Sequence, residues 1–218
     1  MKSIWLSLFI TTAVVVIIAI VLEMPGLYRL AKPLLIITLL FYFLSASSGY
    51  PRWRVFAALA LIFSWFGDVL LLLENQFIAG LAAFLVAHIF YIVVYWKTGA
   101  AQGRIRPLLL AAVVIAGIAS ILVIYPGLGH LLIPVVVYST VLLTMVVLAL
   151  KRQAASTRSS YLLVAIGALL FVVSDSLLGI GKFAVEIPAN HLLVMSTYIA
   201  AQFMIVHGLL KHEEVIRE

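Results

Sequence analysis

The chain has only two aspartates, Asp68 and Asp175, and both lie inside long apolar runs. An ionisable side chain near the centre of a membrane helix costs about 2.5–3.5 kcal/mol on insertion scales, so such residues usually face the bundle interior and mark function. Asp68 comes six residues before Glu74, and Asp175 seven before Lys182. At 1.5 Å rise per residue, both carboxyls sit roughly 9–10 Å below the ends of their runs. Two carboxyls at one depth can meet in one cavity, where one serves as acid and the other as base. The alternative for each is a hydrogen bond between helices or a pair with a buried base.

Other polar residues fall on helical faces. Ser64 is four positions before Asp68 and shares its face. His88, Tyr91 and Tyr95 follow one another at steps of three and four, and His191, Tyr198 and Gln202 at steps of seven and four. These stripes could line an aqueous cavity with the aspartates, or each residue could make its own interhelical hydrogen bond. Tyr50, Trp53, Tyr95 and Trp96 suit anchors at the membrane interface. Neither H-x-x-x-H nor HExxH occurs, so a metal is not expected; His88 with the aspartates is the one arrangement that leaves ligation open. Arg29, Lys32 and Lys182 flank the aspartates' end of the runs. They could hold a lipid phosphate above the carboxyls, or snorkel to the interface.

The elements that must position these groups are membrane helices. Hydrophobic residues make up 66% of the 218, charged residues only 10%, and cysteine is absent. A soluble domain is nearer one quarter charged. Without cysteine there is neither a disulfide framework nor a thiolate metal site. The net charge of +6 is spread over short loops, which excludes the basic face that nucleic-acid binding needs. About 20 apolar residues cross the bilayer as helix. Such runs occur at 4–22, 33–49, 54–73, 77–96, 107–125, 131–150, 161–180 and 190–210, the second diluted at its end by Ser45, Ser47, Ser48 and Gly49. Pro25, Pro33, Pro51, Pro107, Pro126 and Pro188 fall near the boundaries, and Pro134 is a first-turn proline or a kink. The first run has one basic residue before it and no cleavage site, so it reads as a retained span.

The expected fold is therefore all-α: a single integral membrane domain, residues 1–218, of eight transmembrane helices. Alternate loops carry the basic residues. Lys2, Arg52, Arg54, Lys97, Arg104, Arg106, Lys151, Arg152, Arg158, Lys211 and Arg217 lie on one side, against three on the other. The positive-inside rule then makes both termini cytoplasmic. Asp68 to Asp175 and Tyr91 to Tyr198 are both separated by 107 residues, which points to two parallel four-helix repeats. The lack of a long leader suits a bacterial inner membrane. No signal for an oligomeric state stands out.

These residues resemble the YhhN family, which includes the mammalian transmembrane lysoplasmalogenases. The similarity rests on Lys32-Pro33-Leu34, Ser64-Trp65-Phe66-Gly67-Asp68, His88-Ile89-Phe90-Tyr91, Phe171-Val172-Val173-Ser174-Asp175-Ser176, and Tyr198 with Gln202, in order along most of the chain. The resemblance implies a membrane hydrolase that cleaves the vinyl ether bond of a lysoplasmalogen-type lysophospholipid to a fatty aldehyde and a glycerophospho-headgroup, without a cofactor. Asp68 and Asp175 would be the catalytic pair. Ser64, His88, Tyr91, Ser174, Tyr198 and Gln202 would contact substrate or support the aspartates, and Lys32 and Lys182 would meet the phosphate. Two other readings use the same residues. One is a transporter or scramblase-like lipid binder; the other is a metal-dependent amide hydrolase built on His88 and the aspartates.

Overall fold

The computed structural model describes residues 1–47 and 52–215, with side chains through His212. Ser48 and Gly49 (an expected dilution), Tyr50 (an expected anchor), Pro51 (an expected boundary) and Arg217 (an expected orienting charge) lie outside the described residues. Eight α-helices follow in order: α1 (Lys2–Val21), α2 (Pro25–Ala46), α3 (Arg52–Leu70), α4 (Phe77–Tyr95), α5 (Pro107–Leu128), α6 (Leu132–Lys151), α7 (Arg158–Phe183) and α8 (Asn190–Val215). No strand occurs among the described residues. Seven helical stretches are long and apolar enough to cross a membrane, because α5 and α6 run together as one stretch, Pro107–Ala155. A single 3-10 turn, Gly129–Leu131, separates those two helices, and Gly129 has the positive φ of +47° that lets the chain change direction there. The chain is an integral multi-pass membrane protein.

Sequential helices pair most extensively: α1 with α2, α3 with α4, and α7 with α8. In lipid, apolar side chains gain little by leaving the surroundings, so helices associate through close packing of small residues. Gly167 on α7 lies against the Ala201 carbonyl of α8, and Gly208 on α8 against Val164 of α7. A Cβ at either position would come within 3 Å of its neighbour. Lipid-facing hydroxyls satisfy themselves on their own helices: Thr12 donates to Leu8 O, Thr140 to Val136 O and Thr144 to Thr140 O.

The second helix differs from expectation. It starts at Pro25, not Pro33, so Pro33 lies inside it. Pro25 suits the first turn because its missing N–H would have had no partner there. The earlier start puts Arg29 and Lys32 on the helix instead of in a loop. Pro126 likewise lies inside α5 rather than at its boundary. Pro134 is the third residue of α6, a first-turn proline.

Two expected anchors and one expected loop charge are buried. Tyr95 is fully buried and Trp53 nearly so, Trp53 packing edge-on to His212. Trp96 is exposed, as an anchor should be. Arg152 is fully buried at the end of the bundle opposite the aspartates. Its Nε donates to Thr98 Oγ1 at 2.9 Å, its guanidinium lies 5.8 Å from the Tyr95 ring, and an Nη reaches Ser160 Oγ at 3.4 Å. Ser160 Oγ donates in turn to Gly208 O at 2.7 Å. Arg152 is thus a clamp joining the π-turn after α4 to α7 and α8, which explains both its burial and that of Tyr95.

Candidate active site

Asp68 lies two residues before the end of α3, whereas Asp175 lies eight before the end of α7, so the equal distances expected from the apolar runs are not those of the helices. Asp68 is fully enclosed. Tyr198 on α8 donates to its Oδ2 at 2.7 Å, and Lys32 Nζ on α2 stands 3.5 Å from its Oδ1. Lys32 is itself only 5% exposed, so this ion pair is held deep in the bundle. Such a pair persists when each charge has further polar partners. Lys32 has one in the Tyr28 ring, 5.7 Å from its Nζ, and His191 packs edge-on to that ring.

Behind Tyr198 the polar network continues. Gln202, one helical turn on, donates to Ser64 Oγ at 3.0 Å and to Tyr198 Oη at 3.4 Å, and accepts from Tyr91 Oη at 2.7 Å. All four side chains are buried. The amide has both donors and its acceptor engaged, so α3, α4 and α8 are held in one register. Gly67 is required beside this web: a Cβ there would fall 2.5 Å from the Phe84 ring.

Asp175 has a different setting. It is half-buried and accepts a hydrogen bond from Tyr138 on α6, a residue the sequence reading passed over. A signal for it existed. Tyr138 precedes Asp175 by 37 residues, almost the separation of Lys32 from Asp68. No cation lies within ion-pair distance of Asp175 among the described residues.

One cavity of about 350 Å³ brings the two carboxyls together. Asp68, Asp175, Lys32, Lys182, Tyr198 and Ser174 all line it. Ser174 turns its hydroxyl to Val194 O, tying α7 to α8 at the wall. Lys182 stands exposed at the rim, over the Phe77 ring. Tyr28 and His191 complete the polar side; Tyr28 was also missed from sequence. Arg29 is exposed and does not line the cavity.

Three predicted residues, Ser64, Tyr91 and Gln202, reach the site only through Tyr198. His88 does not reach it. Its ring is fully buried, edge-on to Phe171 at 4.7 Å and to Tyr138 at 5.4 Å, and neither nitrogen has a hydrogen-bond partner. Tyr95 is likewise remote from the cavity. Among the described residues no group of three or more His, Asp or Glu side chains converges as a metal site would require.

The bundle and its cavity define a polytopic membrane protein with two carboxyls lining one cavity. Residues 27–209 match the YhhN family, and the chain belongs to it. The chain is 31% identical to lysoplasmalogenase TMEM86B of Homo sapiens over 180 residues, covering 82% of this chain and 73% of that protein. It is 32% identical to lysoplasmalogenase TMEM86B of Sus scrofa over 205 residues, covering 92% and 84%. A lysoplasmalogenase of Mycobacterium bovis is 33% identical over 180 residues, covering 78% and 67%. No solved structure matches the chain.

Proposed function

We propose that this chain is a membrane-embedded hydrolase that cleaves the vinyl ether bond of lysoplasmalogen-type lysophospholipids, with Asp68 and Asp175 together as an acid–base pair. One observation carries the reading: the two carboxyls line a single cavity, with two lysines, in a chain whose relatives are named lysoplasmalogenase. The substrate is R–CH=CH–O–R′, where R′ is the glycerophospho-headgroup. One carboxyl protonates the β-carbon, and the π electrons shift to give the oxocarbenium ion R–CH2–CH=O⁺–R′. The other, as carboxylate, takes a proton from water while the water oxygen bonds to the cationic carbon. Return of that proton to the ether oxygen breaks the C–O bond of the hemiacetal. The hemiacetal hydroxyl proton restores the first carboxyl. One water is consumed and nothing is oxidised or reduced.

Carboxylate charge fixed beside the developing cation, in a site shielded from bulk water, lowers the barrier further. Lys182 at the rim and Lys32 deeper in suit the phosphate. Tyr198, backed by Gln202, Ser64 and Tyr91, holds the Asp68 carboxyl in one orientation. Ser174 keeps α8 in place, and His88 supports Tyr138 by packing.

The same reading gives the chain eight crossings as one integral domain in a bacterial inner membrane, with both termini cytoplasmic. Helices α5 and α6, of 22 and 20 residues, are each long enough to cross about 30 Å of hydrocarbon. The halves α1–α4 and α5–α8 read as parallel repeats, since each sets the aspartate of its third helix against a partner on its second. The chain has no cysteine, so single cysteines at Gln102 and His130 can be labelled without background. Impermeant maleimide should reach them from opposite faces of the membrane.

The activity is tested with purified protein in detergent, offered vinyl-ether, alkyl-ether and acyl lysophospholipids. Aldehyde should be released from the vinyl ether alone. Fatty-acid release without aldehyde would move the substrate to ordinary lysophospholipids, and lipid flux in proteoliposomes without turnover would make the protein a transporter.

A further inference from the structure

Next to the polar cavity lies a second, narrower one of about 70 Å³, bounded by α4–α7 and by Leu71 just after α3. Its walls are mainly apolar, with Leu81, Phe84, Ile121, Ile124 and Leu142 among them; Ser120, Ser139 and Ser176 are the small polar groups on its α5, α6 and α7 sides. Asp175 lines both cavities, whereas Asp68 lines only the polar one and Tyr138 only the apolar one. Asp175 therefore sits at a junction between a chamber with lysines and a slot without charge. A single-chain amphiphile has the same division. Its phosphate needs cations and water, and its hydrocarbon chain needs an uncharged, narrow sleeve.

We propose that the substrate straddles this junction, its phosphate in the lysine chamber and its single hydrocarbon chain in the slot between α4, α5, α6 and α7, and that this orientation makes Asp175 the acid and Asp68 the base. The inference rests on the vinyl ether reading above. Along R–CH=CH–O–R′ the carbon that takes the proton is on the chain side, and the carbon that takes water is on the headgroup side. The carboxyl at the mouth of the slot meets the first, and the carboxyl confined to the polar chamber meets the second. Charge agrees with position. Lys32 supplies the counter-charge for an Asp68 carboxylate. Asp175 has a phenol beside it and, among the described residues, no cation within ion-pair distance; burying a charge without a partner is costly, so the proton belongs there at rest. In the cycle Asp175 gives its proton to the β-carbon and becomes the carboxylate beside the oxocarbenium ion. Asp68 takes a proton from the attacking water and passes it to the leaving oxygen.

Gly179 on α7 is the natural position to test the slot. It lines the slot, and a Cβ built on it would stand 3.8 Å from Ile124 Cδ1, so small additions fit and a large one fills the space. Aldehyde release is measured over a graded series of vinyl-ether lysophospholipids, from short to long chains. Gly179→Leu should lower kcat/KM for the long chains by about tenfold or more, the size of effect that a few methylenes in an apolar pocket carry. The short chains should stay within about twofold, and Ile124→Ala added to Gly179→Leu should restore the long ones. A uniform loss at every chain length, with wild type active, would overturn the slot assignment and leave the vinyl ether reading standing. Absence of aldehyde from wild type at every length would overturn that reading, and this inference with it.

If Gly179→Leu does not fold, the wild-type chain answers the question through a lysophospholipid bearing a diazirine at its chain end. Labelling should fall on α5 and α6 within residues 121–142; labelling on the apolar crevice between α1 and α8, around Phe9 and Phe203, would overturn the assignment. The division of labour has its own readout. In Asp68→Asn the cation still forms but water is not activated, so added azide should capture it as an α-azido ether. Capture in Asp175→Asn instead would reverse the roles.

Discussion

The two aspartates, Asp68 on α3 and Asp175 on α7, line one cavity, yet their surroundings differ. Asp68 is enclosed, ion-paired to Lys32 and hydrogen-bonded to Tyr198, whose own hydroxyl belongs to a closed network through Gln202, Ser64 and Tyr91. Asp175 is half-buried, has one phenolic partner, Tyr138, and opens onto two cavities. The same residue type in one cavity thus has a fixed, charge-balanced version and a more accessible, unbalanced one. Low dielectric makes that contrast matter: a carboxyl with a cation beside it and one without are suited to opposite halves of proton transfer.

Removing either carboxyl should have the largest effect. Asp68→Asn and Asp175→Asn are each expected to lower aldehyde release on the order of a thousandfold, within the range for loss of an acid or base. A wild-type elution profile in detergent would show that the fold is kept. If one variant kept full activity, the pair would not act as a pair.

Lys32→Met comes next and acts mainly on stability. It leaves Asp68 buried with no cation, which costs about 3–5 kcal/mol. The thermal unfolding midpoint in detergent should fall, and Lys32→Arg should recover part of the loss. An unchanged midpoint would mean that the ion pair contributes nothing to the bundle.

The phenols sharpen the contrast. Tyr138→Phe takes from Asp175 its hydrogen-bond partner, whereas Tyr198→Phe leaves Asp68 with Lys32. A hydrogen bond to a carboxyl is worth about 1.5–3 kcal/mol, so kcat should fall roughly ten- to hundredfold in Tyr138→Phe. The loss in Tyr198→Phe should be smaller. The reverse order would show that the network behind Asp68 matters more than the junction at Asp175. Gln202→Leu should destabilise the protein by about 1–3 kcal/mol by stranding Ser64 and Tyr91, read as a lower unfolding midpoint.

His88→Phe is expected to do least. Its nitrogens make no hydrogen bond, and an aromatic ring of similar shape keeps the packing on Phe171 and Tyr138. Activity should stay within about threefold and stability within about 1 kcal/mol. A large loss of activity at wild-type stability would restore the direct role that its sequence spacing suggested.

The sequence made the helices legible because runs of apolar residues long enough to cross a membrane have few other uses. It also made Asp68 and Asp175 legible, since no other carboxyl lies so deep in those runs. The alignment of Ser64, Tyr198 and Gln202 on helical faces carried through to one network. What stayed hidden has a common physical cause. In a bilayer an apolar or aromatic residue is equally at home against lipid or against another helix, so periodicity does not say which face is inside. Tyr95 and Trp53 therefore read as interfacial anchors though they are buried, and Tyr138 passed unnoticed in an apolar run. Lys32 was misplaced because Pro33 looked like a helix start, when the helix already begins at Pro25. Arg152 was counted as a loop charge because its partners, Thr98, Ser160 and Tyr95, come from three separate segments.

The most direct test is hydrolysis of a vinyl-ether lysophospholipid in D2O, with the aldehyde reduced to the alcohol as it forms so that later exchange cannot add label. Carbon protonation within a carboxyl pair predicts one deuterium on the carbon next to the former aldehyde carbon for wild type, and no product from Asp68→Asn or Asp175→Asn. Unlabelled alcohol, or labelled alcohol from either variant at the wild-type rate, would contradict it.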